Sequence, residues 1–241
     1  MTCPTREIHK ALWGYEEWLV NTPRILVKRI VANDRLSVQV HPNDVTAKTV
    51  GGDPKTEMWC VLKAGPIFAG VKPGTAAADV ERAVKDGSFE DILVRHDAKV
   101  GECYFIPGGL VHAIGEGTSV YEVQQPSTTT FRLYDWGRVG ADGQPRQLHV
   151  KEALAAMDLS LPPPVPTERV DCPYFTFRKV PAGDLPAEPT ARVVHVPSTG
   201  ETVLLAPGEG LALPVAAFVS VVKPQPAHEF PKLGQLTGSE A

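Results

Sequence analysis

The chain has little of what marks a nucleic-acid-binding or membrane-spanning protein. Its 241 residues carry 24 Lys and Arg against 28 Asp and Glu, for a formal net charge of -4. Basic blocks are lacking, so we expect no nucleic-acid partner. Apolar runs stay well below the roughly 20 residues that cross a bilayer, so we expect no membrane partner either.

Cysteines are also sparse. Cys3, Cys60, Cys103 and Cys172 are widely spaced and form no CxxC pair. This spacing excludes a closed thiolate metal site, and the first residues lack a charged-then-apolar leader. The sequence therefore predicts a cytoplasmic protein with reduced thiols. Cys60 and Cys103 lie in apolar strand patterns, where free cysteine usually behaves as a small buried hydrophobe.

Long helical patterns are rare, whereas short β patterns separated by Gly and Pro recur along the chain. Such spacing is typical of a β-sandwich or barrel, here a jelly roll. Helices are predicted only as short insertions, over 77–85, 88–94 and 151–159. His96 would then follow the second helix, near its C-terminus.

A proline-rich stretch divides the chain into two predicted domains. The segment LPPPVP at 161–166 is a stiff linker. We expect one domain over 1–160 and a smaller β domain over 161–241. The second domain repeats the β pattern but has no predicted metal site, because His195 and His228 have no partner at the spacing of metal ligands. Both histidines are predicted to be structural or solvated.

Polar side chains alternate along the segment LSVQVHPND at 36–44. In a strand, Ser37, Gln39 and His41 share one face. Glu57 follows after a loop, and His112 ends a second glycine-rich turn. Two imidazole nitrogens, a carboxylate and an amide oxygen suit a divalent ion of borderline softness and leave room for water or substrate. Taken singly, the Gln39 and His41 pair and Glu57 are each better explained as solvated strand residues than as metal ligands.

The segment from Gly101 to His112 makes the prediction of a metal site more specific. The spacing of Gly101, Pro107, Gly109 and His112 is similar to the second conserved motif of the cupin superfamily, in which a turn aims a histidine into a barrel. The first cupin motif usually contains His-x-His with a nearby Glu. Here Gln39 replaces the first histidine, and the glutamate follows an inserted loop.

These departures resemble the type I mannose-6-phosphate isomerases in their shorter bacterial form. The likeness rests on LSVQVHPND, KTE, IPGGLVHAIG and YEVQQPSTTTFRLYDWGR and covers residues 10–155 closely. It implies an all-β cupin jelly-roll barrel with short helical insertions, followed by a degenerate cupin-like β domain. It also implies that Gln39, His41, Glu57 and His112 hold Zn²⁺.

The resemblance further implies catalytic roles for Arg132, Lys55 and Glu122, with Arg132 also binding substrate. Ser37 faces the same way as Gln39 and His41, so it either binds the phosphate of the substrate or hydrogen-bonds its strand neighbours. Several larger members carry His-Lys-Pro-Glu where this chain has PKTE, beginning at Pro54. The base that transfers the proton therefore stays open between Glu122 and Lys55.

The expected function is a zinc-dependent aldose-ketose isomerase that interconverts mannose 6-phosphate and fructose 6-phosphate through a cis-enediol. We expect a monomer or homodimer whose partner is a small sugar phosphate. Two other classes are open. A non-catalytic metal-binding cupin could sense a sugar phosphate, and an iron or manganese oxygenase would need a more imidazole-rich metal shell.

Overall fold

The computed structural model describes residues 6–140 and 143–224. The strands of the first part are β1 (Glu7–Ala11), β2 (Gly14–Thr22), β3 (Ile25–Ala32), β4 (Val38–Val40), β5 (Glu57–Lys63), β6 (Gly65–Val71), β7 (Leu93–Ala98), β8 (Cys103–Ile106), β9 (His112–Ile114), β10 (Ser119–Gln124) and β11 (Phe131–Tyr134). The helices are α1 (Ala47–Val50), α2 (Ala77–Asp86), α3 (Phe89–Ile92) and α4 (Val150–Ala156). The later strands are β12 (Arg169–Asp171), β13 (Phe175–Val180), β14 (Gly183–Leu185), β15 (Arg192–Val196), β16 (Glu201–Leu205), β17 (Leu211–Leu213) and β18 (Ala217–Val222).

Two antiparallel sheets face each other in the first part of the chain. One has six strands in the order β1-β2-β3-β10-β5-β8, and the other has five in the order β11-β4-β9-β6-β7. Strands distant in sequence are thus neighbours in each sheet, as in a jelly roll. The predicted all-β cupin barrel with short helical insertions is confirmed.

The space between these two sheets, the barrel interior, is lined by apolar side chains in one part and by charged side chains in another. Ile30, Trp59 and Ile114 belong to an apolar cluster that fills one part of it. Lys28 shares a face with Ile30, two positions further along β3, and Glu122 lies directly opposite both Lys28 and Trp59 on the neighbouring strands. Lys28 and Glu122 are both buried, so the interior has an apolar part and a charged part.

The outer face of the six-stranded sheet packs against the C-terminal part of the chain. That part forms a sheet in the order β12-β13-β18-β15-β16, with β14 and β17 as a separate pair. Met58 and Tyr121 from the barrel share one buried cluster with Phe175, Phe177 and Val193. This continuous core joins the two parts, while the domain boundary between 160 and 161 stays a prediction.

Helices cover the outer face of the five-stranded sheet. Val80 of α2, Phe89 of α3 and Ala153 of α4 pack in a third cluster with Val40 and Leu133. The apolar residues of α2 lie at helical spacing, so its polar residues face outward. No helix within the described residues is long and apolar enough to cross a membrane.

The second predicted helix differs from the structure in its extent. The sequence predicts a second helix through residue 94 with His96 after it, but α3 ends at Ile92 and β7 begins at Leu93. Strand β7 pairs with β6, placing His96 opposite Ile67. A ladder with a distant strand therefore overrides the local helical signal in this apolar run, as tertiary context often does. The predicted position of His96 at a helix C-terminus was wrong, because the residue lies within β7.

The cysteine predictions can be compared for three of the four residues. Cys60, Cys103 and Cys172 are buried free thiols. Cys60 and Cys103 are partners across β5 and β8, as expected for small apolar residues inside a sheet. Cys3 and His228 lie outside the described residues.

The core shared by the barrel and the C-terminal sheet makes a testable prediction. Phe177 is 1% exposed and contacts the rings of Tyr121 and Phe218. Phe177→Ala should lower the free energy of unfolding by about 3–5 kcal/mol, because it leaves a cavity in this core. Urea unfolding followed by fluorescence and circular dichroism measures the loss.

The control is Val215→Ala at an exposed valine, which should change stability little. If Phe177→Ala unfolds the C-terminal sheet in a separate transition and leaves the barrel unaffected, the two parts are not joined by one cooperative core.

Candidate metal centre

Three potential metal ligands meet at the ends of strands from both sheets. Glu57 is the first residue of β5, His112 is the first of β9, and His41 directly follows β4. His41 Nε2 lies 3.5 Å from Glu57 Oε2, and His112 Nε2 lies 3.5 Å from Glu57 Oε1. Each side chain is 1% exposed, and their ligand atoms lie within 4.8 Å of one another. This spacing can bring all three onto one ion.

Backbone carbonyls orient both imidazole rings. His41 Nδ1 lies 2.8 Å from the Thr129 carbonyl oxygen, and His112 Nδ1 lies 2.8 Å from the Leu110 carbonyl oxygen. A carbonyl only accepts, so each Nδ1 carries the hydrogen and each Nε2 presents a lone pair. Metal-binding histidines are commonly fixed in this way.

The amide of Gln39 completes the cluster. Its Nε2 atom lies 3.4 Å from His112 Nε2. Rotating the amide about its last bond would turn the carbonyl oxygen to the same point, where it could act as a ligand. Gln39 and His112 are direct partners across β4 and β9, so their side chains point to the same face.

A glycine turn connects the strand ends that hold this cluster. The Gly109 N–H donates to the His41 carbonyl at 2.8 Å, and the Gly108 N–H donates to Thr56 Oγ1 at 3.1 Å. A Cβ on Gly108 would lie 2.8 Å from the Pro42 oxygen, so no larger residue fits without a shift. Gly109 has φ +97°, which favours glycine. The turn thus determines the position of the histidine that follows it.

The electrostatics of the cluster fit a cation. Neither carboxylate oxygen of Glu57 accepts a hydrogen bond from the described residues. Lys55 Nζ approaches as an ion pair, 2.8 Å from Glu57 Oε2 and 3.0 Å from His41 Nε2. A buried carboxylate without hydrogen bonds is costly, and two imidazole lone pairs face it. A divalent ion would satisfy the Glu57 carboxylate and both imidazole lone pairs.

Burial keeps the two imidazoles neutral. It lowers the pKa of His112 to about 4. Burial also lowers the pKa of His41 well below its ordinary value, and the nearby positive charge of Lys55 adds to the effect. Neutral imidazole is the form that binds metal.

A cavity of about 140 Å³ opens beside the cluster. Its wall includes Gln39, Lys55 and Glu122. Glu122 is 2% exposed and accepts a hydrogen bond from Trp59 Nε1 at 2.8 Å. Burial, followed by repulsion from Glu57, raises the pKa of Glu122. A carboxyl with a raised pKa beside a cluster of metal ligands is suited to proton transfer.

A buried lysine connects two acids on this wall. Lys28 Nζ lies 3.1 Å from Glu16 Oε2 and 3.1 Å from Glu122 Oε1, and Trp18 Nε1 donates to Glu16 at 2.7 Å. Burial opposes the charge of Lys28, but the carboxylates of Glu122 and Glu16 outweigh it and hold the Lys28 pKa above its ordinary value. Lys28 therefore stays charged and holds Glu122 in place.

Sequence reasoning missed Lys28 and Glu16. The available signal was the alternation of β3, where Lys28 lies between the inward-facing Leu26 and Ile30. A lysine in an apolar alternation needs a buried partner. The sequence around Lys28 does not reveal this partner, because Glu122 lies far along the chain in β10.

The remaining predicted site residues lie apart from the cluster. Ser37 is buried two positions before Gln39, and its side chain makes no recorded hydrogen bond within the described ranges. Arg132 is the direct partner of Gln39 across β11 and β4. One of its guanidinium nitrogens donates to the Gln147 carbonyl at 2.8 Å, and Arg132 is not part of the cavity wall.

Comparison with known proteins gives the family. The chain is 33% identical over 193 residues to the mannose-6-phosphate isomerase ManA of Bacillus subtilis, covering 72% of this chain and 59% of that protein. It is 32% identical over 157 residues to the mannose-6-phosphate isomerase of Streptococcus mutans, covering 64% and 49%. The chain belongs to the mannose-6-phosphate isomerase family. It spans only about half of these curated relatives of the family, and no protein-family profile matches it.

Solved structures show the same fold. The crystal structure of the mannose 6-phosphate isomerase from Bacillus subtilis superposes with a TM-score of 0.69 at 18% identity, covering 90% of this chain and 98% of that one. A mannose 6-phosphate isomerase solved with zinc and yttrium gives 0.55 at 12% identity, covering 83% and 80%. At these identities the likeness supports the cupin fold of the family.

The lowered histidine pKa makes the metal-free protein sensitive to acid. Between about pH 6.5 and 4, unfolded His112 binds a proton that the folded residue excludes, so the free energy of unfolding falls as the pH falls through this window. One such histidine contributes up to about 1.4 kcal/mol per pH unit. Urea unfolding in chelator at several pH values should show a smaller slope for His112→Gln than for the wild type.

His9→Gln, at an exposed histidine, is the matched control and should leave the slope as it is. Equal slopes for His112→Gln and wild type would mean that the buried ring accepts a proton as readily as the unfolded chain.

Proposed function

We propose that the chain is a zinc-dependent aldose-ketose isomerase that interconverts mannose 6-phosphate and fructose 6-phosphate. The observation that carries the proposal is the buried His41, Glu57 and His112 cluster beside a cavity walled by Glu122. The relatives named mannose-6-phosphate isomerase support it. The proposed setting is the cytoplasm, where the free thiols of the chain would stay reduced.

Zinc is the proposed ion. Two imidazole nitrogens, one carboxylate and the Gln39 amide oxygen form a mixed set that zinc accepts and that leaves a position for substrate. A relative of the same fold has been solved with zinc. When bound, the ion supplies Lewis-acid stabilisation of the negative charge that develops on a sugar oxygen.

The side chains around the cluster divide the remaining work. Aldose and ketose differ in where C1 and C2 carry hydrogen, so a proton must move between them through a cis-enediol. Glu122, whose pKa is raised by burial and by Glu57, is suited to carry that proton. Lys28 fixes the position of Glu122 through its ion pair. Lys55, at the edge of the cluster, is the second candidate and can assist ring opening.

The phosphate is assigned to Arg132. A planar guanidinium matches a phosphate oxygen pair, and Arg132 lies on the strand beside Gln39. One guanidinium nitrogen now donates to the Gln147 carbonyl, so the side chain must reorient to reach substrate. Ser37 is the second proposed substrate contact.

Removal of the metal tests the cofactor. Chelator should reduce turnover of mannose 6-phosphate by about two orders of magnitude or more, because Lewis-acid stabilisation contributes several kcal/mol, and Zn²⁺ should restore it. Glu57→Gln should lose bound zinc, whereas Glu116→Gln, at an exposed acid, should retain it. Activity that is indifferent to chelator would rule out a metal-dependent isomerase.

A second test separates catalysis from metal binding. Arg132→Ala should reduce turnover at least about a hundredfold while zinc content is unchanged, because a fixed positive charge at the substrate is removed. Arg82→Ala, at an exposed arginine of α2, is the control. If Arg132→Ala loses zinc instead, Arg132 has a structural role.

Two observations favour a second candidate. Pro54 occupies the position of the histidine in larger members of the family, and the cavity of about 140 Å³ is smaller than a typical small-molecule site. A metal-binding cupin that senses a sugar phosphate would bind zinc and mannose 6-phosphate without turnover. A coupled assay for fructose 6-phosphate together with calorimetry distinguishes the two.

A further inference from the structure

A second and larger cavity lies on the other side of the six-stranded sheet. It has a volume of about 610 Å³ and lies where β2 and β3 meet the turn between β15 and β16. Arg29 and Glu17 line it, and each directly follows a residue of the inner wall, Lys28 and Glu16. Neighbouring residues of a strand point to opposite faces, so the sheet separates this outer cavity from the metal centre.

The outer cavity carries more positive than negative charge. Arg6 Nη1 lies 2.9 Å from Glu17 Oε1, and Arg29 Nη1 lies 3.8 Å from Glu17 Oε2. One carboxylate thus serves two guanidinium groups, whose side chains are 47% and 45% exposed. Each guanidinium has five N–H donors, so both retain donors that can face the cavity.

A buried histidine completes this wall. His195 is 2% exposed, stacks on Tyr121 at 4.7 Å, and has Nδ1 2.9 Å from Thr202 Oγ1. Its Nε2 has no recorded hydrogen-bond partner in the part of the chain that the structure describes, although the residue lines the cavity. Burial, followed by the charges of Arg6 and Arg29, lowers the His195 pKa to about 4. The ring is therefore neutral, and Nε2 carries a hydrogen when the Thr202 hydroxyl donates to Nδ1.

We propose that the outer cavity, walled by Arg6, Arg29, His195 and Ser198, binds a small phosphorylated metabolite. Three nitrogen donors and a hydroxyl match the three terminal oxygens of a phosphate better than the two of a carboxylate. The volume exceeds that of the bare anion, and Leu19 and Phe218 provide apolar wall for an organic group.

Nuclear magnetic resonance of labelled protein tests this directly. Inorganic phosphate, and glycerol 3-phosphate as a phosphate monoester, should each shift the Arg29 Nε–H and His195 ring signals saturably. Arg29→Gln should weaken this binding about tenfold or more, because a charge-assisted contact is lost. His195→Phe keeps the stacking on Tyr121 while removing Nε2, and it should weaken binding as well. Tighter binding of the monoester would identify an organic phosphate as the ligand, and equal binding would identify the free anion.

The controls separate this site from the metal centre. Arg95→Gln, at a 53% exposed arginine of β7, should leave the affinity unchanged. The shifts should also persist in Arg132→Ala, so the outcome does not depend on the proposed isomerase activity. Absence of a shift up to about 50 mM phosphate, well beyond the millimolar end of the affinity scale, would overturn the proposal, as would binding that Arg29→Gln does not weaken.

Discussion

The carboxylate of Glu57 imposes the strictest constraint on this molecule. It is 1% exposed, neither of its oxygens accepts a hydrogen bond among the described residues, and two imidazoles face it. An ionised carboxylate in such a place needs a nearby cation, and the Lys55 ammonium supplies only part of that requirement. The strand ends and the glycine turn bring the three side chains together, and the backbone carbonyls at each Nδ1 orient the rings. Together these features place the ligand atoms so that a metal ion can bind between them.

Apolar packing outside the barrel offsets the free-energy cost of burying charged side chains inside it. Apolar clusters lie on both outer faces of the barrel, against the helices on one side and the C-terminal sheet on the other. Inside, Lys28 is placed between Glu16 and Glu122, and each of these acids accepts a tryptophan N–H. Buried charges that are paired and hydrogen-bonded cost far less than isolated ones. The C-terminal sheet therefore contributes to the site indirectly, by burying the back of the strands that carry it.

The sequence predicted what depends on short-range pattern and missed what depends on register. Gln39 and His41 share a face because of strand alternation, and the turn before His112 has a spacing visible in the sequence alone. Helix α2 was predicted within one residue of its ends for the same reason, because its apolar residues recur at helical spacing. Lys28 was overlooked because its function depends on β3 lying beside β10, a contact between residues nearly a hundred positions apart. The error at β7 has the same origin, since its partner strand decides its conformation.

The alternation of β2 and β3 has a further consequence. Lys28 and Arg29, like Glu16 and Glu17, are adjacent in sequence yet face different cavities. A shift of one residue in either strand would turn its inward-facing side chains outward and its outward-facing side chains inward, so the walls of both cavities depend on the same register. The pairing of β3 with β10 places Arg29 opposite Tyr121 and Lys28 opposite Glu122. Tyr121 in turn stacks on His195 of the C-terminal sheet. Packing of the C-terminal sheet on the barrel thus opposes the same register shift that would separate Lys28 from Glu122.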